Sequence, residues 1–163
     1  MTDHIWAGWR AAFVTGESKP GDECVLCAIA KDDDLDQRFV VSRGDLCYAV
    51  LNLYPYTSGH LMVVPKRHIG TIGEIERAEA EELFRFVGYA VAALSGPVGA
   101  EGINVGMNLG KPAGAGIADH LHVHIVPRWT GDANFMSTTA SARVLPEALP
   151  DTLARIRSAW PAF

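Results

Sequence analysis

The chain is organised around the stretch Asp119–Pro127, which reads DHLHVHIVP and holds three of the six histidines of the sequence at alternate positions. Successive side chains of a β-strand point to opposite faces. The alternation therefore predicts a strand with His120, His122 and His124 on one face and the apolar residues between them packed inward. A row of imidazoles on a half-buried strand indicates a functional site.

Three interpretations of this row are open. A purely structural role for all three histidines is one. A metal site is another, but it takes two of them at most, because residues i and i+4 of a strand lie about 13 Å apart at roughly 3.3 Å per residue, whereas Zn–N bonds are about 2 Å long. At least one histidine is then left for other chemistry. Nucleophile or general base is the natural assignment for an imidazole at neutral pH.

Length and charge limit the class of protein. A chain of 163 residues with 48% hydrophobic and 20% charged residues fits one globular domain with a core. The formal net charge of -5 disfavours a nucleic-acid-binding protein, which would present a basic face. No run of about 18 apolar residues could span a membrane, and the N-terminus lacks a signal-peptide pattern. We therefore expect a cytoplasmic protein with no nucleic-acid or membrane partner.

Hydrophobic periodicity divides the chain into short strands and two helices. Residues 74–95 have the spacing of an amphipathic helix, with Phe84 on the apolar face and Glu82 on the polar face. The predicted strands cover residues 38–42, 46–53, 61–64, 103–107 and 121–128, and a closing helix covers 146–160. This order predicts an α+β domain around an antiparallel sheet of about five strands, with one long helix and a C-terminal helix.

Two of the three cysteines form a C-x-x-C pair near the N-terminus. Cys24 and Cys27 are close enough to bring two thiolates to one ion, whereas Cys47 lies alone in a strand-like run and is interpreted as a packed side chain. In a reducing compartment such a pair supplies metal ligands or redox thiols. The redox interpretation expects an early βαβ unit, which this sequence does not indicate.

A glycine-rich loop, residues 108–117 with the sequence NLGKPAGAGI, leads directly into the histidine stretch. Glycines let backbone N–H groups turn toward an anion without a side chain in the way, which is how many loops bind phosphate. A flexible surface loop without a ligand is the alternative. The phosphate interpretation gains weight because the loop ends at three imidazoles.

The H-x-H-x-H run with apolar residues between its histidines resembles the signature of the histidine triad superfamily of nucleotide hydrolases and transferases. Three upstream segments extend the resemblance: LNLYP at 51–55, GHLMVVPKRH at 59–68 and NVGMN at 104–108. The resemblance as a whole runs from about Trp6 to Phe135. The chain is most similar to the bacterial zinc-type branch, which opens with paired tryptophans and C-x-x-C and includes diadenosine tetraphosphate phosphorylases and hydrolases.

The resemblance implies a mechanism. In the family the middle histidine attacks the α-phosphate and forms a nucleotidyl-histidine, so His122 is the expected nucleophile. His124 would donate to the phosphate oxygens or to the incoming group. The transferase branch replaces the third histidine with glutamine, and its retention here favours hydrolysis or phosphorolysis of a dinucleoside polyphosphate.

The resemblance also implies a metal site. Zinc-binding members use the cysteine pair, a histidine after the Pro-Lys segment and the first histidine of the triad. In this chain those positions are Cys24, Cys27, His68 and His120. Four nitrogen and sulfur ligands would complete a tetrahedral structural zinc site with no open position. The alternative is two reduced, packed thiols with both histidines hydrogen-bonded.

Four further residues match substrate-binding positions of the family. Asn52 would hold the ribose hydroxyls, with capping of the following turn as its alternative, and Asn108 would orient the phosphates. Many relatives carry Gln-Ser before the triad where this chain has Gly116 and Ile117, so only backbone N–H groups can serve there. Candidates for the distal phosphates or the second base are Lys111, Arg128 and Trp129.

Organisation and rival functions complete the expectations. We expect one histidine-triad domain over residues 1–163, with an N-terminal cysteine segment at 1–37 and a C-terminal helical tail at 142–163. The family likeness implies a homodimer with the long helix and a strand at its interface. The rival functions are a nucleoside phosphoramidate hydrolase, a non-catalytic zinc-stapled nucleotide-binding module, and a metallohydrolase that uses two triad histidines.

Overall fold

The computed structural model describes residues 23–132 and 147–161. In these ranges one antiparallel sheet of five strands carries three α-helices. The strands are β1 (Val40–Arg43), β2 (Cys47–Leu51), β3 (Leu61–Pro65), β4 (Gly102–Gly106) and β5 (Val123–Arg128), and the helices are α1 (Val25–Lys31), α2 (Arg77–Ser95) and α3 (Leu149–Ala159). Short 3-10 turns lie at Ile72–Glu74 and Lys111–Ala113. The predicted α+β class and five-stranded antiparallel sheet are confirmed.

Parts of the predicted terminal segments fall outside the described residues. The N-terminal segment 1–37 is described from residue 23 onward, so the tryptophan pair is outside it. The C-terminal tail 142–163 is described over residues 147–161, where α3 lies within the predicted closing helix.

The strand order places the histidine strand inside the sheet. The order is β1-β2-β3-β5-β4, so β5 pairs with β3 on one side and with β4 on the other. His124 lies opposite Met62 of β3 and Gly106 of β4. Space is open where a side chain at Gly106 would project. The imidazole of His124 thus lies between Met62 and Gly106, and Gly106, which has no side chain, leaves room for a ligand.

Apolar side chains cover the two faces of the sheet unequally. The larger core joins one face to α2 and α3, and its fully buried members include Leu61, Ile125, Leu83, Phe86 and Ile156. A smaller core joins the opposite face to α1 through Leu26, Ile29, Tyr48, Val50 and Val64. Because α1 is only seven residues long, this second face has room for polar side chains of β5.

Helix α1 is fastened to the sheet by polar contacts as well. The hydroxyl of Tyr48 donates to the carbonyl of Leu26 at 2.8 Å. The guanidinium of Arg43 donates to the carbonyl of Ile29 at 2.6 Å and to that of Asp32, both at the C-terminal end of the helix. Cations and donors stabilise this end, where carbonyls lack helical partners. The helix that carries Cys27 is therefore held in a defined position against β1 and β2.

Helix α2 corrects two sequence predictions. It begins at Arg77 after a separate 3-10 turn, and the apolar face is rotated from the predicted one. Phe84 is 62% exposed, whereas Phe86 is fully buried. Glu82, predicted on the polar face, is 5% exposed, and its Oε1 accepts hydrogen bonds from the backbone N–H groups of Leu46 and Cys47 at 2.9 and 2.8 Å. Two backbone N–H groups of the β1–β2 hairpin find their acceptor in Glu82, and its carboxylate is buried for this reason.

Replacing Glu82 with alanine is expected to lower the free energy of unfolding by about 2–3 kcal/mol, because two backbone donors lose their acceptor, one of them buried. Urea denaturation measures this. Glu81→Ala is the matched control on the same helix, since its carboxylate bonds only to the exposed Arg77 and such pairs contribute about 0.3–0.5 kcal/mol. Equal effects of the two substitutions would contradict the role of Glu82.

Candidate active site and metal centre

The structure divides the three histidines of the motif between two places. The regular strand begins at Val123, so only His124 lies within it, while His120 and His122 lie on the segment that leads into it. The rings of His122 and His124 are in T-shaped contact with centroids 4.8 Å apart. The ring of His120 instead contacts His68, 5.0 Å away, beside the cysteine pair. One short motif therefore supplies a pair of histidines in contact and a third histidine to a separate cluster of cysteines and histidines.

Backbone groups determine the tautomer of His124 through an intermediate histidine, His60. The N–H of Tyr56 donates to Nδ1 of His60 at 3.1 Å, so the proton of a neutral His60 ring lies on Nε2. This Nε2–H donates to Nδ1 of His124 at 3.0 Å. The neutral ring of His124 consequently carries its proton on Nε2. That N–H is available to an oxygen of a bound ligand.

His60 has a role that the sequence analysis missed. It is 1% exposed and lies 64 residues before His124 in the chain. The ring of Tyr56 packs on it with centroids 4.6 Å apart and lies stacked near His124 at 6.0 Å. The only sequence signal was its place in the segment GHLMVVPKRH. A buried histidine that directly precedes a strand could have been assigned as a partner of the motif.

Burial, together with a smaller electrostatic contribution from the neighbouring His122, lowers the pKa of His124 to about 4. The ring is therefore neutral at pH 7. A neutral His124 donates through Nε2 without adding a charge, which agrees with the tautomer that its neighbours impose.

Acidification is expected to destabilise the fold through this residue. The folded pKa of about 4 lies below the ordinary value of 6.5, so the unfolded chain binds more protons between these values. The stabilising contribution is complete above pH 6.5 and is lost as the pH falls toward 4, by about 3 kcal/mol in all. Urea denaturation at pH 7 and pH 4.5 should show a smaller loss for His124→Gln than for the wild type. Equal losses would assign the acid sensitivity to other groups.

His122 is oriented by the chain segment just before it. Its Nδ1 lies 2.8 Å from the carbonyl oxygen of His120. A carbonyl can only accept, so Nδ1 carries the proton and Nε2 holds the lone pair in the neutral ring. Within residues 23–132 and 147–161, no hydrogen bond engages Nε2. The ring is 6% exposed, which leaves it sheltered beside His124.

A cleft of about 550 Å³ opens beside His124. It is lined by consecutive residues of β4, by alternate residues of β5, by the turn before β3 and by the glycine-rich loop. The lining residues are Tyr56, Thr57, Asn104, Val105, Gly106, Met107, Asn108, Ala113, Gly114, His124, Val126, Arg128 and Asp132. Both a donor-bearing histidine and backbone amides of a glycine-rich loop face a volume that could admit a phosphate chain.

The predicted substrate-binding residues are placed differently from one another. Asn108 lines the cleft, and its amide lies 3.5 Å from the carbonyl of Gly114. Gly116 and Ile117 are not among the lining residues of this cleft, and Ile117 packs against the smaller core. Asn52 accepts the N–H of Tyr54 at 2.9 Å, which is the turn-capping alternative, and its amide nitrogen lies 3.5 Å from Nε2 of His60.

Backbone conformation explains the glycines of the loop. Gly110 and Gly114 flank the 3-10 turn with φ values of 83° and 93°, in the left-handed region that side chains disfavour. Gly114 and the preceding Ala113 contribute to the cleft wall. The loop therefore contributes to the cleft through Ala113 and Gly114, three and two positions earlier than Gly116, and its predicted role in binding phosphate stays a prediction.

A second cluster brings Cys24, Cys27, His68 and His120 together. One donor atom of each lies within 4.8 Å of the others. Nδ1 of His120 is 3.3 Å from Sγ of Cys24, and Nδ1 of His68 is 3.2 Å from Sγ of Cys27. All four predicted ligands thus meet, although they come from α1 and its N-terminus, the segment after β3, and the segment before β5.

The donors of this cluster fit a divalent metal ion. Zn–S and Zn–N bonds of about 2.3 and 2.0 Å place tetrahedral ligands at separations comparable with those in the cluster. Nε2 of His120 donates to the carbonyl of Pro65 at 2.9 Å, which leaves Nδ1 with its lone pair toward the cysteines. Burial and the neighbouring Cys24 raise the pKa of Cys27. A bound cation would favour both thiolates.

The comparisons with known proteins agree with this arrangement. A family model described as "HIT domain" matches residues 35–131. A curated AP-4-A phosphorylase of Mycobacterium tuberculosis is 46% identical over 125 residues, which is 77% of this chain and 64% of that protein. The chain thus spans just under two thirds of the length of this relative. A bis(5'-nucleosyl)-tetraphosphatase (asymmetrical) of Schizosaccharomyces pombe is 32% identical over 57% of this chain and 50% of its own.

Solved structures are similar as well. A Zn-bound histidine triad family protein from Mycobacterium smegmatis superposes with a TM-score of 0.68 at 25% identity, covering 84% of this chain and 92% of that one. A hypothetical histidine triad nucleotide-binding protein from Sulfolobus tokodaii gives a TM-score of 0.66 at 28% identity over 83% and 91%. The resemblance stated from the sequence is confirmed, and the chain belongs to the HIT domain family.

Proposed function

We propose that this protein cleaves dinucleoside polyphosphates such as diadenosine tetraphosphate through a nucleotidyl-histidine on His122. The observation that carries the proposal is the pair of tautomers: Nε2 of His122 holds a lone pair, while Nε2 of the adjoining His124 holds a proton. A donor that lines a cleft and a nucleophile in contact with that donor are what displacement at phosphorus needs. The AP-4-A phosphorylase relative supports this class of substrate.

The reaction would have two steps. The Nε2 lone pair of His122 forms an N–P bond to the α-phosphorus, and the P–O bond to the polyphosphate breaks with its electron pair on the leaving oxygen. An oxygen of water or inorganic phosphate then attacks the same phosphorus, and the N–P electrons return to the ring. The N–H of His124 would stabilise the charge that develops on the phosphoryl oxygens. No metal ion takes part in either step.

The acceptor is identified by the products. Incubation of the protein with diadenosine tetraphosphate should release ATP in either case, accompanied by ADP if inorganic phosphate accepts the nucleotide and by AMP if water does. Parallel reactions with and without phosphate, resolved by ion-exchange chromatography, separate the two. Absence of any nucleotide product under both conditions would refute the proposal.

The proposed substrate contacts use residues that line the cleft, together with Asn52. We assign Asn108 and the backbone of Ala113 and Gly114 to the phosphates around the reacting phosphorus. The phosphate contacts of Gly116 and Ile117 stay predictions, because neither residue lines this cleft. Asn52 is assigned to the ribose through its amide nitrogen, because its carbonyl is already engaged by Tyr54. Asn52→Ala should raise KM more than it lowers kcat if the contact is to bound ribose in ground and transition states alike.

We propose that Cys24, Cys27, His68 and His120 hold a structural zinc ion. The four donors fill a tetrahedral shell and leave no position for water or substrate, so zinc would fasten α1 and the segment after β3 to the chain just before His122. The Zn-bound relative from Mycobacterium smegmatis supports the choice of metal.

We also propose a homodimer in the cytoplasm. Strand β4 is an edge of the sheet, four of its five residues are exposed, and Phe84 of α2 presents a large apolar side chain to the surface. Unpaired strand edges and exposed apolar groups are typical of interfaces. Light scattering of the purified protein measures its mass.

The three free cysteines fit a reducing compartment. Within the described residues no helix is long and apolar enough to cross a membrane.

A further inference from the structure

The cleft extends along β5 from His124 to Arg128, four residues farther on. At roughly 3.3 Å per residue this is about 13 Å. His124, Val126 and Arg128 line one side of its floor, and Asn104 and Gly106 of β4 line the other. If the α-phosphate is bound beside His124, as the proposed function requires, this trough is where the leaving half of the substrate can extend.

An ion pair occupies the far end of the trough. Nε and Nη2 of Arg128 donate to the two carboxylate oxygens of Asp132 at 2.5 and 2.7 Å. Nη1 of the same guanidinium donates to Oδ1 of Asn104 at 2.9 Å. The bidentate contact fixes the plane of the guanidinium, and 45% of the Arg128 side chain is exposed. A nucleobase can stack on such a fixed, exposed plane.

The pair also determines the charge of this end. Arg128 and Asp132 are the only lysine, arginine, aspartate or glutamate side chains among the described lining residues, and they cancel. His124 adds no charge at pH 7, since burial lowers its pKa to about 4. A terminal phosphate at this end would meet the carboxylate of Asp132 together with the guanidinium, whereas a nucleoside carries no charge to be repelled.

We propose that Asp132 is a specificity-determining residue, which makes the far end of the cleft select a nucleoside cap over a free terminal phosphate. The inference rests on the proposed function, because it concerns the leaving half of the same substrate. It predicts that diadenosine tetraphosphate is preferred to adenosine 5'-tetraphosphate, although both present the same adenylyl group and the same number of phosphates.

Equilibrium binding tests this without interference from turnover. Both nucleotides are titrated by calorimetry into the full-length protein carrying His122→Ala, with and without Asp132→Asn. Asparagine keeps the shape of the side chain and removes its charge, and it leaves one acceptor oxygen where the carboxylate offers two to Arg128. We expect Asp132→Asn to raise the affinity for adenosine 5'-tetraphosphate about fivefold to tenfold and to change that for the capped nucleotide less than twofold. The gain in affinity for adenosine 5'-tetraphosphate should shrink as salt is raised from 0.05 to 0.5 M, because salt screens the repulsion between Asp132 and the terminal phosphate.

Glu101→Gln is the matched control. This nearby carboxylate accepts the N–H and hydroxyl of Thr130 and does not line the cleft, so its neutralisation should leave the ratio of the two affinities unchanged. If Asp132→Asn shifts both nucleotides by the same factor, or neither, Asp132 only orients Arg128 and the inference is overturned while the proposed function stands. If neither nucleotide binds the protein that carries His122→Ala alone, the proposed substrate class and the inference fail together.

Discussion

His122→Ala is expected to lower kcat/KM for diadenosine tetraphosphate by roughly 10³-fold or more, because it removes the nitrogen that would bond to phosphorus. Its Nδ1 hydrogen bond to the carbonyl of His120 is the sole described hydrogen bond of the side chain, so the substitution should cost little structure. Product formation under substrate-limiting conditions measures the loss, and circular dichroism checks the fold. Wild-type protein quenched with an alkaline denaturant, in which the N–P bond persists, should carry a nucleotidyl group on the peptide that contains residue 122.

The matched comparison is His124→Gln. Glutamine retains an N–H donor, so a loss of only about 10- to 100-fold is expected if His124 stabilises charge and does not form the bond to phosphorus. A protein that keeps its turnover after His122→Ala but loses it after His124→Gln would exchange the two roles. Nucleotide binding without turnover in the wild type would instead favour a module that binds and does not cleave.

Removing the proposed zinc ion is expected to lower the melting temperature by roughly 10 °C while the core remains folded at 25 °C. A ligand present at a thousandfold excess over its Kd stabilises by about 4 kcal/mol, and each kcal/mol corresponds to about 2–4 °C in a domain of this size. Cys27→Ser should produce the same shift and release the bound zinc, measured by atomic absorption and scanning calorimetry. Turnover below the melting temperature should survive within about tenfold, because the chemistry is assigned to histidines.

Cys47→Ala is the control for the cysteine substitution. Cys47 is fully buried, and burial with the nearby Glu82 and Glu79 raises the pKa of its thiol to about 12, so it is neither a ligand nor reactive. Its replacement should leave the zinc content unchanged. Complete loss of turnover on mild chelation of a protein that stays folded would favour the metallohydrolase alternative over a covalent histidine.

The helix α2 illustrates where periodicity fails as a predictor. Spacing alone assigned Phe84 to the core and Glu82 to solvent, yet the helix buries Phe86 and Glu82. Periodicity measures the average direction of apolar residues. It cannot detect that Glu82 accepts hydrogen bonds from the backbone of Leu46 and Cys47, which lie 36 and 35 residues away in the chain.

The active-site histidines show a similar division. His122 and His124 were assigned from the motif, because their chemistry and alternation are visible within five residues. His60 was not, because its function depends on a contact with His124 across two strands, and a single histidine in a strand-like segment has no pattern of its own. The protonation sites of the His122 and His124 rings likewise depend on backbone carbonyl and N–H groups that only the folded chain brings close to these rings.

The sequence by itself indicated the residue types of the site, the α+β class and the family, since these are encoded in short-range patterns of side chains with distinctive chemistry, whereas the four candidate metal ligands were implied by the resemblance to the family. The tertiary structure decided that β5 lies between β3 and β4, that one motif contributes both to the Cys24–Cys27–His68–His120 cluster and to the His122–His124 pair, and that Arg128 is paired with Asp132 at the end of the cleft. Strand order, tautomers and paired charges arise from contacts between segments that are remote in the chain. Their energies depend on distances that only the packed molecule defines.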